Sequence, residues 1–145
     1  MIQCIKTMSN PDYRFIIMTQ EVERANEIVS KLPNSDSIVV KSVLPKDLSL
    51  YYSIAHYGFI LRDDIVLNRV AAPTKLIEYL SYGLIPIVKT INIGASVKMG
   101  YEYISYNDDL NTLSARKSGK NEKVAAAVLH LSAENNIPKI LFSSL

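Results

Sequence analysis

Short unbroken apolar runs along this chain alternate with stretches in which apolar residues recur every third or fourth position. Ile2, Ile5 and Met8 make a short helical stripe, and Asn10-Pro11-Asp12 ends it as a turn. Phe15-Ile16-Ile17-Met18 then reads as a buried strand. Val22, Ala25, Ile28, Val29 and Leu32 mark one face of a helix whose other face carries Glu21, Glu23, Arg24 and Glu27, with Pro33 as its stop. Ser37-Ile38-Val39-Val40 is the next strand-like run. Pro45 and Asp47 suit the opening turn of a helix through Leu48, Tyr51 and Ala55, where proline's missing N–H has no partner to lose. Gly58-Phe59-Ile60-Leu61 follows as a third strand.

A polar connection from Arg62 to Ala72 leads to Pro73, a good first helical position, and to a helix from Thr74 to Tyr82 capped by Gly83. Ile85-Pro86-Ile87-Val88 is a fourth strand, and its proline, which cannot donate to a ladder, belongs at the strand's beginning or on an unpaired edge. Asn92 to Gly100 reads as loop, Tyr103-Ile104-Ser105-Tyr106 as a weaker strand, and Asn107-Asp108-Asp109 as the cap of a short helix through Leu113. The last helix runs from about Asn121 to Glu134, with Val124, Ala127, Val128 and Leu131 expected to face inward, and Ile140-Leu141-Phe142 is an apolar tail. Apolar runs of four without alternation are the signature of parallel strands covered on both faces, and helices stand between them. The predicted class is therefore α/β, a three-layer Rossmann-like α/β/α domain with a mostly parallel sheet. In such sheets ligands lie beyond the carboxyl ends of the strands, which selects Thr19-Gln20, Arg62 to Lys75 and Lys89 to Ser96.

Composition narrows the function classes. The chain has 145 residues, 48% of them hydrophobic and 21% charged, enough for one domain with a real core. A net charge of +2, from basic residues scattered between Lys6 and Lys139, excludes a strong nucleic-acid footprint. The single Cys4 can make neither an internal disulfide nor a cysteine zinc site, so a reducing, cytoplasmic setting is expected. No apolar run approaches the roughly 20 residues of a membrane span, and Met1-Ile2-Gln3-Cys4 does not open a signal peptide.

Candidate chemistry concentrates between Arg62 and Glu78. Arg62 stands at a strand exit, and Pro73-Thr74-Lys75 opens a helix whose free N–H groups and dipole favour phosphate. Thr74, Lys75 and Glu78 share roughly one helix face; a solvated Lys75–Glu78 pair is the plain alternative. Thr19-Gln20-Glu21-Val22 contains no glycine, so dinucleotide-fingerprint and Walker-type readings fail. His56 and His130 are isolated and read as helix-end or surface residues. Asp63-Asp64 is an acidic pair that would suit Mg²⁺ or a base, or simply a turn. No catalytic triad is visible.

The run Ala72-Pro73-Thr74-Lys75-Leu76-Ile77-Glu78-Tyr79-Leu80-Ser81-Tyr82-Gly83-Leu84-Ile85-Pro86-Ile87-Val88 resembles the donor-binding signature of GT-B-type glycosyltransferases. Asn10-Pro11-Asp12 before the Phe15 strand, Leu44-Pro45 with Asp47-Leu48 before a helix carrying Tyr52, and Ile54 to Phe59 before Arg62 look like the same domain in the same order, so the similarity covers about Met1 to Tyr106. The resemblance implies a carboxyl-terminal, nucleotide-sugar-binding domain spanning residues 1–145, with Arg62, Asn68, Pro73, Thr74, Lys75 and Glu78 as donor-binding residues. Glu78 would hold the ribose hydroxyls, Thr74 and the helix start the sugar or diphosphate, and Lys75 or Arg62 the charge of the leaving nucleoside diphosphate. The implied reaction is sugar transfer from a UDP- or GDP-sugar to a saccharide or lipid-linked acceptor in polysaccharide, lipopolysaccharide or capsule biosynthesis, without a cofactor or metal.

Many retaining members carry a second glutamate where this chain has Val70, and the basic residues near the first strand have no counterpart before Ile2. By the resemblance the chain lacks the domain's first strand and the acceptor domain, so that it has little transferase activity alone; the full-length enzyme would be cytoplasmic or peripheral to the inner membrane face. The missing strand would sit mid-sheet, flanked by Phe15 to Met18 and Phe59 to Leu61. Direct pairing, the tail Ile140 to Phe142, or self-association with a second copy would close the gap. The competing readings are a non-catalytic α/β interaction module and a sugar-nucleotide epimerase-like domain, for which only Asp63, Asp64 and Glu78 are available as carboxylates poised on the sugar.

Overall fold

The computed structural model describes residues 1–65, 74–93 and 98–134. The chain divides into two compact units, Met1–Leu48 with Leu110–Leu113, and Ser49–Asp109 with Ser114–Leu145.

The first unit contains helix α1 (Ile2–Thr7), strand β1 (Phe15–Met18), helix α2 (Val22–Val29) and strand β2 (Ile38–Lys41). β1 and β2 pair in parallel, Phe15 opposite Ile38 through Met18 opposite Lys41. The α1 stripe is as expected, with Ile5 and Met8 buried, and Phe15, Ile17 and Val29 complete this core. Residues 110–113 belong here because of side-chain bonds: Asn111 Oδ1 accepts from Ser9 N at 2.7 Å, and the Tyr13 hydroxyl donates to Leu110 O at 2.8 Å. The segment expected to be a short helix through Leu113 is one 3₁₀ turn, Leu110–Thr112. Burial on both faces does not hold for this sheet. Ile16 is 40% exposed and Val39, its partner across the ladder, 51% exposed. Within this unit two helices of 6 and 8 residues are all that can cover a sheet, so only the Phe15 and Ile17 face is buried. For the same reason Ile28, expected on the inner face of α2, is 42% exposed.

The second unit contains most of helix α3 (Leu48–Ile54), strand β3 (Tyr57–Ile60), helix α4 (Thr74–Ser81), strands β4 (Ile85–Val88) and β5 (Ile104–Ser105), and helix α5 (Gly119–Glu134). The sheet order is β3-β4-β5, with both pairings parallel. All four residues of β4 are buried, as a run without alternation predicts. Pro86 sits in this central strand without breaking it. Ile85 N donates to His56 O on the β3 side at 2.9 Å, so the Pro86 nitrogen points to the other side, where pairing to β5 begins only at Ile87.

Gly83 closes α4 as expected. It takes φ +69°, Leu84 N donates to Tyr79 O and Gly83 N to Leu80 O, the paired bonds of a left-handed helix end. Gly58 is required by contact instead of by φ: a β-carbon there would lie 2.3–2.8 Å from three Tyr79 ring carbons.

Helix α5 faces differently from its apolar pattern. Asn121 and Ala125 are its innermost residues, Val124 and Val128 are half-buried, Ala127 is exposed and Leu131 is 57% exposed. The cause is polar. Asn121 Nδ2 donates to Leu84 O and Glu102 O, each at 2.9 Å, and its Oδ1 accepts from Glu102 N at 2.7 Å, which turns that side of the helix inward.

Both sheets are thus parallel and the chain is α/β. The two runs expected to flank a gap fall in different units, Phe15–Met18 in the first and Phe59–Ile60, within β3, in the second. The tail from Ile140 to Phe142 lies outside the described residues.

Candidate functional site

In the second unit the carboxyl ends of β3 and β4 lead into the segments that carry most of the candidate residues. Arg62 follows β3 by two positions, is exposed, and makes no hydrogen bond or ion pair among the described residues. Asp63 and Asp64, next along, have partners from the chain leaving β4: Lys89 Nζ bonds to Asp63 Oδ1, and Asn92 Nδ2 donates to Asp64 Oδ2 at 2.9 Å. The two strand exits are therefore clasped together, and Asp63 holds the Lys89 ammonium above its usual pKa by hydrogen bond and charge. The acidic pair, read from sequence as turn, base or Mg²⁺ ligand, is occupied in an ion pair at Asp63 and a hydrogen bond from the Asn92 amide at Asp64. Among the described residues no three His, Cys, Asp or Glu side chains form a metal-binding group.

Thr74 opens α4 half-buried, Lys75 follows exposed, and Glu78 lies one turn further in, half-buried. The sequence-level alternative for Glu78 was a solvated pair with Lys75. The partner that the structure supplies is Tyr52 on α3, whose hydroxyl donates to Glu78 Oε2 at 3.3 Å. Burial pushes the Glu78 carboxyl above its ordinary value; the Tyr52 hydrogen bond and the Lys75 charge pull the other way without cancelling it. Tyr52 is pushed well above the ordinary phenol value, first by burial and then by Tyr79 and Glu78.

An aromatic cluster fixes this arrangement. The Tyr52 ring meets Tyr79 edge-on at 5.4 Å and Tyr82 tilted at 5.7 Å. Burial carries the Tyr79 phenol up to about 12. Lys117 Nζ donates to the backbone oxygens of Tyr52 at 3.1 Å and Tyr82 at 2.9 Å, tying α3 to the end of α4. These contacts place the Tyr52 hydroxyl at Glu78.

Thr74, Lys75 and Glu78 thus share α4, and Arg62 stands at a strand exit of the same unit. Asn68 and Pro73 lie outside the described residues, as do Val70 and Ala72. Sequence reasoning missed the Lys89 and Asn92 partners and the Lys117 tie. The i, i+3 placement of Tyr79 and Tyr82 was a visible hint of the ring cluster, whereas nothing local marks Lys117. Compared with protein-family models, curated proteins and solved structures, the chain matches none.

Proposed function

We propose that this chain is the nucleotide-sugar-binding part of a glycosyltransferase, from the carboxyl-terminal half of a Rossmann-like GT-B architecture. The observation that carries the reading is Glu78. It is a half-buried carboxylate one turn into a helix that follows a parallel strand, its Oε2 engaged by Tyr52 and its pKa raised by burial. A carboxylate so fixed suits a diol, since it can accept from two neighbouring hydroxyls at once. The start of α4, with Thr74, Lys75 and Arg62 from the β3 exit, offers donors and positive charge for a diphosphate. In this reading the sugar goes to a saccharide or lipid-linked acceptor, with no metal involved.

The test is calorimetry of the chain with UDP, GDP and their sugar conjugates. Heat with one nucleotide, lost in Glu78→Ala, supports the donor-binding reading. Silence with all of them favours a non-catalytic α/β interaction module.

A further inference from the structure

Helix α5 ends differently from the way it begins. Its first two turns carry Lys120, Glu122 and Lys123 outside and Asn121 and Ala125 inside. Beyond them Ala126, Ala127, Leu129, Leu131 and Ala133 are all exposed, Leu129 by 38% and Leu131 by 57%. At 3.6 residues per turn these five positions spread over more than half of the helix circumference, an arc that also contains His130 and Glu134. An exposed apolar arc of this width at a helix end is normally covered by a partner.

A shallow, open cavity of about 630 Å³ runs along one flank of this segment. Met99, Val124, Ala127, Val128 and Leu131 make its apolar lining. Lys98, Lys120 and Lys123 line it too; all three are exposed, and Lys98 and Lys123 make no hydrogen bond or ion pair among the described residues. Cationic side chains beside an exposed apolar helix end are what an anionic lipid surface accommodates, with lysines among headgroups and leucines at the acyl boundary. A protein segment laid in the cavity would cover the Ala127 and Leu131 flank and leave Ala126, Leu129 and Ala133 in water. A bilayer interface covers both. No helix among the described residues is long and apolar enough to cross a membrane, so the contact is one of surface, not span.

We propose that the carboxyl-terminal half of α5, with Lys98, Lys120 and Lys123, is a docking surface for an anionic membrane. The inference is independent of nucleotide binding, and its test contains no nucleotide, so either can fail alone.

The chain has no tryptophan, so Leu131→Trp supplies a single reporter. The full chain is floated with vesicles of phosphatidylcholine alone and with vesicles mixed with phosphatidylglycerol. Binding is expected only to the mixed vesicles, with a blue shift of the tryptophan emission and quenching by brominated lipid. Lys98→Glu/Lys120→Glu/Lys123→Glu is expected to lower partitioning about tenfold or more, and so is high salt. Leu131→Asp, at an exposed position, should keep the circular dichroism of the parent and lose vesicle binding. Unchanged tryptophan emission with anionic vesicles, or partitioning indifferent to the charge reversal, overturns the proposal. So does a dimer in sedimentation that Leu131→Asp dissociates while the parent ignores vesicles, since the occupant would then be a second copy of the chain.

Discussion

Replacing Asn121 by alanine should show how much of the second unit rests on one polar side chain. Asn121 has no exposed surface and makes three hydrogen bonds to backbone, to Leu84 O, Glu102 O and Glu102 N. Each contributes about 1 kcal/mol net, so their loss costs about 3 kcal/mol. Alanine's better helix propensity returns about 0.5 kcal/mol. Water can reach the half-buried Glu102, but Leu84 is 1% exposed, so the carbonyl stranded there holds the cost near the upper end. The expectation is a loss of about 2–3 kcal/mol. It is read as a lower urea midpoint at constant m-value by far-ultraviolet circular dichroism, with faster hydrogen exchange of the Ile87 and Val88 amides. Asn121→Leu separates polar from packing effects, because it fills the space and satisfies none of the three groups. If Asn121→Leu were as stable as the parent, the hydrogen-bond account of α5 would be wrong and the helix would be held by volume alone.

Four further outcomes can be checked. Gly58→Ala forces a β-carbon into the buried Tyr79 ring and should cost about 1–3 kcal/mol in the same urea assay. If the nucleotide reading holds, Glu78→Ala should weaken binding by about 1–3 kcal/mol in calorimetry, whereas a structural carboxylate predicts unchanged affinity in a folded variant. Because burial holds the Glu78 carboxyl above its ordinary 4.5, the folded chain keeps a proton that the unfolded chain has already lost; stability should fall as pH rises from that value through the folded pKa, and Glu78→Gln should flatten this part of the profile in pH-dependent denaturation. In a full-length transferase, Arg62→Ala or Lys75→Ala should lower turnover more than donor affinity, and EDTA should change neither; activity lost in EDTA and restored by Mg²⁺ would move the charge-stabilising role to Asp63 and Asp64.

What could be read from the sequence was whatever is decided within a few residues. β1 and β4 begin and end where their apolar runs do, and Gly83 ends α4 because only the chain's own turn geometry is involved. Which face a helix or sheet buries depends on partners far away in sequence. α5 turned by Asn121 toward Leu84 and Glu102, 37 and 19 positions distant, defeats any reading of its apolar period. Ile16 and Val39 look like core residues and are exposed for want of a cover within their own unit. At the candidate site the sequence pointed to Thr74, Lys75 and Glu78 on one helix. It did not reveal that Tyr52, 26 positions away, would be the partner of Glu78, or that Lys89 would be drawn to Asp63.

The corner where α4 ends and β4 begins has a consequence for how this chain can change length. Lys117 reaches Tyr82 O, Ser118 N reaches Gly83 O at 2.8 Å and Asn121 reaches Leu84 O, so three consecutive residues are each gripped by the approach to α5 or its first turn. The seat of α5 is therefore defined by this corner and by Glu102, and not by the path that the backbone takes between Ser105 and Arg116. Insertions or deletions at exposed positions along that path, such as Asn107 to Asp109, should leave α5 in place, because lengthening a loop whose ends are independently anchored costs only a slowly growing closure entropy. Related chains could differ widely in length there and still carry the same helix in the same seat.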